Sequence, residues 1–403
     1  MKCGLLGRKL GHSYSPQIHS QLASYSYTLF EKEPDELEAF LRNGDFTGLN
    51  VTFPYKKAVI PYLDELSDVA KQLGAVNTIV RQESGRLIGH NTDYFGFQSM
   101  VNRSRIPVAG KKCLVLGSGG ASNTATAVLQ ELGANVVVIS RTGENNYDNL
   151  DLHSDAAVIV NTTPLGMYPK VGVSAVELTT FPVLEGVLDV VYNPARTKLL
   201  LDAEERGIPA INGLWMLVAQ ARESAEWFSG ASIPEDAIER IYRNLKAQMQ
   251  NIVLIGMPGC GKSTIGQMLG RTMIDADVEI ENLARKSIPE IFSEYGEEKF
   301  RQYETNVLDA LGKQSGLVIA TGGGCVTQER NYPLLHQNGT IFWLQRDLNK
   351  LATDGRPLSQ SNNLRDMYRI RKPMYEKFAD YVIDNNGSAE HTAAQIMSIL
   401  EDV

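Results

Sequence analysis

The residues of this chain that could do chemistry fall into two groups far apart in sequence. The later group opens with Gly256-Met257-Pro258-Gly259-Cys260-Gly261-Lys262-Ser263, which satisfies G-x-x-x-x-G-K-[ST] and follows the apolar run Asn251-Ile252-Val253-Leu254-Ile255. A buried strand, a glycine-rich turn and a helix in that order wrap a phosphate chain. Backbone N–H groups from Gly259, Cys260, Gly261, Lys262, Ser263 and Thr264 are expected to face the anion. Lys262 adds a point charge, and the Ser263 hydroxyl is placed for Mg²⁺. Ile274-Asp275-Ala276-Asp277 follows. An aspartate at a strand end, Asp275, can hold Mg²⁺ through water. Asp277, two residues on, is expected on the same side of an extended chain, within reach of an acceptor hydroxyl.

The earlier group holds a second nucleotide signal. After the strand-like Leu114–Leu116 comes Gly117-Ser118-Gly119-Gly120-Ala121-Ser122. It carries the first two glycines of a dinucleotide loop, with Ser122 where a third is usual. Alone, this reads equally well as a bare glycine turn. The next strand ends in Ser140-Arg141-Thr142, about where a fold that prefers NAD places an acidic residue for the ribose. An arginine flanked by hydroxyls suits a 2′-phosphate, which favours NADP(H); the plainer alternative is a surface arginine in a turn. Residues 143 to 156 are short and polar, so the helix often found after such an arginine is expected to be truncated.

The chain that must position these groups has 403 residues, enough for two or three domains, with 43% hydrophobic and 21% charged residues. No apolar stretch approaches the roughly 20 residues of a membrane span. The net charge of −8 argues against nucleic acid or an anionic membrane as the main partner. Cys3, Cys113, Cys260 and Cys325 form no C-x-x-C pair, so neither zinc nor a disulfide framework is indicated. Met1 leads straight into a strand-like segment that leaves no room for a signal peptide, and a cytoplasmic location is expected. Short β-like runs alternate with helical ones throughout, the pattern of α/β folds with mainly parallel sheets. A helix from about Ile233 to Gln248 runs almost directly into the phosphate-loop strand, so a tight junction is expected near Gln248–Asn251, with no Gly/Ser or Pro linker.

Further motifs precede the junction, in a fixed order. They are Ser13-Tyr14-Ser15-Pro16, then Asn50-Val51-Thr52-Phe53-Pro54-Tyr55-Lys56, Gly74-Ala75-Val76-Asn77-Thr78 and Gly89-His90-Asn91-Thr92-Asp93. Asn161 to Met167, Asp189-Val190-Val191-Tyr192-Asn193-Pro194 and Gly213 to Gln220 complete the series. Across residues 1 to 248 this series resembles shikimate dehydrogenase. The resemblance implies a two-domain reductase: a 3-dehydroshikimate-binding domain over 1–100, completed by 213–248, and a Rossmann-like NADP domain over 101–212. By the same resemblance, Ser13 and Ser15 hold the substrate carboxylate, and Thr52, Asn77, Asp93, Tyr192 and Gln220 meet the rest of it. Val190 and Gly213 join the cofactor site, and Lys56 is the acid/base group. Reducing a ketone needs a hydride on carbon and a proton on oxygen, and a lysine held by a carboxylate such as Asp93 can give that proton. Taken singly, Lys56 reads as a solvated loop charge and Asp93 as a helix N-cap; the ordered set reverses both.

Beyond the phosphate loop, Phe300-Arg301, Thr321-Gly322-Gly323-Gly324-Cys325, Asp354-Gly355-Arg356-Pro357-Leu358 and Arg371-Lys372-Pro373-Met374-Tyr375 follow in order. Over residues 251–403 this resembles shikimate kinase, a phosphate-loop fold with a parallel sheet. The resemblance implies that Asp277, Arg301, Gly323 and Arg371 bind shikimate, with the arginines on its carboxylate, and that Arg356 belongs to a lid over ATP. The plainer readings are a tight turn for the glycines and surface ion pairs for Arg301 and Arg371. The combined expectation is a bifunctional enzyme using NADP(H), ATP and Mg²⁺ on 3-dehydroshikimate and shikimate; a homodimer is compatible with it. Two rivals are a quinate/shikimate dehydrogenase joined to a broader small-molecule kinase, and a metabolite-sensing regulator that has lost its catalytic groups.

Overall fold

The structure, a computed structural model, describes residues 1–11, 13–351 and 364–402. Arg356 and the expected lid over Asp354–Asn363 lie outside the described residues. The chain divides into two compact units. One comprises Met1–Gly166, Val173–Tyr192 and Asp202–Asn244; the other comprises Met167–Gly172, Asn193–Leu201 and Leu245–Val403.

The first unit contains two sheets. Strands β1 (Lys2–Gly7), β2 (Ser26–Glu31), β3 (Gly48–Val51), β4 (Glu65–Leu66), β5 (Thr78–Arg81) and β6 (Leu87–His90) form a six-stranded mixed sheet ordered β2-β1-β3-β5-β6-β4. Here β5 runs antiparallel to both β3 and β6. The register sets Asn50 opposite Thr78, and Thr78 opposite His90; Asn50 Nδ2 donates to Thr78 Oγ1 at 3.2 Å, while the His90 ring stacks on Trp227 with centroids 3.7 Å apart. The second sheet is wholly parallel, with β7 (Lys112–Leu116), β8 (Asn135–Ile139), β9 (Val158–Asn161), β10 (Gly186–Asp189) and β11 (Ala210–Ile211) in the order β11-β10-β9-β7-β8. Strands β9 and β10 are buried along their whole length, as strands covered on both faces should be. The expected truncation is present: among the described residues, only a short 3-10 turn, Leu150–His153, stands between β8 and β9.

The second unit is built on a parallel sheet of β12 (Asn251–Ile255), β13 (Met273–Asp275), β14 (Val318–Ala320), β15 (Gly339–Gln345) and β16 (Tyr381–Asp384), ordered β13-β14-β12-β15-β16. All of β12 is buried, and it lies between β14 and β15. Its carboxyl end therefore opens at the point where the strand order turns back, where such sheets bind ligands. A long helix, Ile288–Gly312, starts with a capping box between Ser287 and Glu290 and breaks at Gly296, whose φ is 77°. The break re-aims the segment that carries Arg301 and Glu304. No helix among the described residues is long and apolar enough to cross a membrane.

Candidate active sites

In the first unit a cleft of about 290 Å³ is lined by Ser13, Ser15, Thr52, Lys56, Asn77, Asp93, Tyr192 and Gln220. All the substrate residues expected from sequence thus meet in one place. Lys56 Nζ donates to Asp93 Oδ2 at 2.6 Å, with the side chains 34% and 16% exposed. Asp93 is the first residue of helix Asp93–Ser104 and Thr92 is its N-cap, so the carboxylate is left free to take the lysine. Ser15 begins the helix Ser15–Leu22, with Pro16 in its first turn, and its N–H donates to Ser13 Oγ at 3.2 Å. Tyr14 lies between these serines and packs edge-on against Tyr192, ring centroids 6.2 Å apart. Burial raises the pKa of the Tyr192 hydroxyl.

Ala121, Val190 and Gly213, the residues expected to face the cofactor, line the same cleft. The turn Gly117-Ser118-Gly119-Gly120-Ala121 leads from β7 into helix Gly120–Glu131, with Gly117 at φ 109°. Added Cβ atoms on Gly119 and Gly120 would meet nothing within 4 Å, so the backbone there is open to a close-lying diphosphate. Ser140, Arg141 and Thr142 directly follow β8 and do not line the cleft itself. These groups fit NADP.

In the second unit a cavity of about 370 Å³ is lined by Gly259, Gly261, Lys262, Ser263, Thr264, Asp275, Asp277, Arg301, Gly323 and Arg371. Gly256, Gly259 and Gly261 all have positive φ, as a phosphate cradle needs, and Gly261 is the N-cap of helix Lys262–Gln267. Lys262 Nζ donates to the carbonyls of Gly256 at 3.0 Å and Met257 at 3.2 Å, folded back on its own loop. Cys260 corrects one expectation. Its side chain is fully buried and its N–H closes a turn onto Met257 O at 3.2 Å, so it supports the loop from behind. Ser263 Oγ donates to Asp275 Oδ2 at 2.6 Å, a hydroxyl and carboxylate paired at the foot of the loop. That pair fits Mg²⁺, whose other ligands would be phosphate oxygens and water.

Asp277 is not on an extended chain as expected. Asp275 Oδ1 accepts from Asp277 N at 3.0 Å and caps the helix Ala276–Ala284, which puts Asp277 in the first helical turn. It still faces the cavity, where burial and then the Asp275 charge raise its pKa, opposed by Lys262 and Arg301. Arg301 and Arg371 are buried rather than surface-paired. Arg371 Nη1 donates to Gly323 O at 3.0 Å, and Tyr375 Oη to the same carbonyl at 2.5 Å. Sequence reasoning missed Glu304, one helical turn after Arg301, which lines this cavity. A methyl group on Gly322 would lie 2.8 Å from Asp277 Oδ1 and 3.0 Å from Glu304 Oε1, so both carboxyls close on that glycine.

Both units have counterparts among known proteins. The family model described as shikimate dehydrogenase substrate binding domain matches residues 5–79, and the one described as shikimate kinase matches residues 258–401. A shikimate dehydrogenase (NADP(+)) from Clostridium perfringens (strain SM101 / Type A) is 36% identical over 267 residues, covering 61% of this chain and 98% of the relative. A solved chorismate mutase/shikimate 5-dehydrogenase fusion protein from Clostridium acetobutylicum is 37% identical with a TM-score of 0.58, over 61% of this chain and 97% of that one. Shikimate 5-dehydrogenase from Thermus thermophilus, solved with NADP(H) and shikimate, is 30% identical with a TM-score of 0.55, over 60% of this chain and 99% of that one. The cofactors of these families, NADP on one side and ATP with Mg²⁺ on the other, match the two cradles. A nucleotide cleft with a lysine–aspartate pair, and later in the chain a phosphate-loop cavity lined by two arginines, mark a chain that belongs to the shikimate dehydrogenase family and carries a shikimate kinase domain fused after it, a bifunctional shikimate-pathway enzyme.

Proposed function

We propose that residues 1–248 reduce 3-dehydroshikimate to shikimate with NADPH, and that residues 251–403 phosphorylate shikimate to shikimate 3-phosphate with MgATP. The observation that carries the first reaction is the Lys56–Asp93 pair, 2.6 Å apart in a cleft that gathers the expected substrate residues with Ala121, Val190 and Gly213. NADPH, when bound, supplies the hydride. Lys56 gives the proton to the carbonyl oxygen, and Asp93 holds the ammonium in line. Ser13 and Ser15, at a helix N-terminus, hold the substrate carboxylate. Thr52, Asn77, Tyr192 and Gln220 orient the ring.

In the second reaction ATP with Mg²⁺ supplies the phosphoryl group. Arg301 and Arg371 bind the carboxylate of shikimate, Gly323 closes against its ring, and Asp277 orients or deprotonates the attacking hydroxyl. Lys262 leaves the carbonyls of Gly256 and Met257 to meet phosphate oxygens. Ser263 and, through water, Asp275 hold the metal. The two reactions are chemically consecutive, since the ketone oxygen that becomes a hydroxyl in one is the oxygen phosphorylated in the other.

The test is a coupled assay on the whole chain: NADPH oxidation with 3-dehydroshikimate, then ADP release that depends on the shikimate formed. Reduction without shikimate-dependent ADP release would sink the kinase half. Preference for quinate with NAD over shikimate with NADP would replace the reductase half.

A further inference from the structure

In the second unit, the turn between helix Asn331–His336 and β15 is buried: His336, Gln337 and Asn338 are 1%, 3% and 2% exposed. A buried turn after a helix presents main-chain carbonyls that must find donors, because water is excluded. Here four consecutive carbonyls find them. Asn338 O accepts from the N–H of Asn251, the first residue of β12, at 2.8 Å. The other three accept from one residue, Arg196. Its backbone N–H donates to Gln337 O at 2.8 Å, and its Nη1 donates to His336 O at 2.9 Å and to Gly339 O at 3.2 Å. The Asn338 side chain adds a further tie. Its Oδ1 accepts from Ala195 N at 2.8 Å, while its Nδ2 donates to Gly312 O, at the end of helix Ile288–Gly312, at 3.0 Å.

Ala195 and Arg196 lie in Asn193–Leu201, a segment that the order of motifs assigns to the NADP domain but that belongs to the second compact unit. A guanidinium suits the place it takes there, since it offers five N–H donors and a permanent positive charge to the carbonyl end of a helix. The same unit closes the junction helix Asp236–Met249, whose residues from Leu245 on belong to it, in the same way. Arg271 donates from Nη1 to Gln250 O at 2.6 Å and from Nη2 to Ala247 O at 2.8 Å.

We propose that the turn His336–Gly339 is a docking surface of the kinase unit, and that its occupant is the segment Asn193–Leu201, anchored by Arg196. The kinase fold of this chain then does not start at residue 251; it is completed by residues that lie within the reductase sequence. Loss of the Arg196 guanidinium takes a donor from two buried carbonyls, His336 O and Gly339 O, and keeps the main-chain bonds of Ala195 and Arg196. It thereby loosens the turn to which Asn251 and the phosphate-loop strand are tied. The inference goes beyond the two reactions, whose rates serve only as reporters of the two units.

The experiment compares the full chain with Arg196→Ala and follows the thermal midpoint of each activity separately. Arg196→Ala is expected to lower the midpoint for shikimate phosphorylation by about 4–8 °C and to leave that for NADPH oxidation within about 1 °C. A lower midpoint for NADPH oxidation with phosphorylation unchanged would return Arg196 to the reductase unit and overturn the proposal. Equal falls in both, or no shift in either, would overturn it as well. Hydrogen exchange in the parent chain decides the matter even if Arg196→Ala fails to fold. MgADP, a ligand of the phosphate loop, is expected to slow exchange of the Ala195 and Arg196 amides roughly tenfold or more, in step with those of β12, and NADP to slow them less. No slowing by MgADP, or a larger effect of NADP, would overturn the proposal.

Discussion

Arg301 Nη1 donates to Glu304 Oε2 at 2.9 Å, and the side chain that receives it has no exposed surface. Glu304 Oε1 has no partner among the described residues. Burial pushes this carboxyl up to about 7, against the pull of Arg301. Asp277 adds a like charge that raises it, while Arg371 favours ionisation. Glu297, which also accepts from Arg301 at 2.9 Å, shares the guanidinium from the exposed side. When a substrate carboxylate takes up Arg301, Glu304 loses part of its neutralising partner and holds a proton more tightly. Binding then takes up a proton. Shikimate affinity is accordingly full below pH about 7 and falls as pH rises past it, by up to about tenfold per unit. Calorimetry in two buffers of different ionisation heat measures the proton uptake, and Glu304→Gln is expected to abolish it. Proton release on binding, or an unchanged pH profile in Glu304→Gln, would refute this account.

The two lysines offer a test of independence. Lys56→Ala removes the proton donor of the reductase and is expected to lower its kcat by about 10²–10⁴-fold while leaving ADP release from added shikimate unchanged. Lys262→Ala removes the cation of the phosphate loop and is expected to lower phosphorylation by about 10²–10³-fold while leaving NADPH oxidation unchanged. Each variant assayed for both reactions gives the answer. Loss of reduction in Lys262→Ala would show that the two chemistries share a requirement on this chain.

The two glycine turns were legible because backbone geometry dictates their sequence: positive φ at Gly117, Gly256, Gly259 and Gly261 leaves few alternatives to glycine. The strands Lys112–Leu116 and Asn251–Ile255 were legible from their uninterrupted apolar runs. Asp277 was misplaced because a one-residue gap between aspartates reads as extended chain, whereas the Asp275 side chain turns the backbone into a helix at once. Glu304 stayed hidden because an acidic residue three positions after an arginine on a helix is ordinarily a surface pair. Its burial brings it against Gly322, on a different element of the fold, where an added Cβ would lie 3.0 Å from Glu304 Oε1. Nothing in the residues flanking Trp215 announces its partners. The fold supplies them: its indole Nε1 donates to Ser99 Oγ at 2.8 Å, and the Arg103 guanidinium lies 4.4 Å above its ring. It pins the helix Leu214–Ser229 to the helix Asp93–Ser104, a contact that periodicity alone cannot announce.

Gly213 tests the cofactor wall of the reductase. Its N–H donates to Val191 O at 3.1 Å, and a Cβ at this position would fall far inside contact distance of the Val190 carbonyl. Both partners are main chain, so nothing can rotate away. Gly213→Ala is expected to displace Val190, which lines the cleft, and to raise the KM for NADPH about tenfold or more while shikimate phosphorylation stays normal. Initial-rate measurements with varied NADPH decide it. An unchanged KM would mean that Val190 takes no part in holding the cofactor.

Arg141 tests how this chain tells NADP from NAD. The loop after β8 is ordered by its own polar side chains: Asn149 Oδ1 accepts from Asn146 N at 2.8 Å, Asn149 Nδ2 donates to Glu144 O at 2.8 Å, and His153 Nε2 meets Asn145 Oδ1 at 3.0 Å. The loop stands in for the missing helix and presents Arg141 at the strand end without a second cation in the Ser140–Asn149 stretch. On the proposal that this one guanidinium carries the 2′-phosphate, Arg141→Ala is expected to raise the KM for NADPH by about 10- to 100-fold, the effect of one charge-assisted contact, and to leave the KM for NADH nearly unchanged. Arg141→Lys keeps the charge but loses the fork, so it should fall between the two. Steady-state rates with both nucleotides make the comparison. Equal losses for NADPH and NADH would assign Arg141 to the architecture of the loop, and cofactor choice would then have to come from the hydroxyls of Ser140 and Thr142.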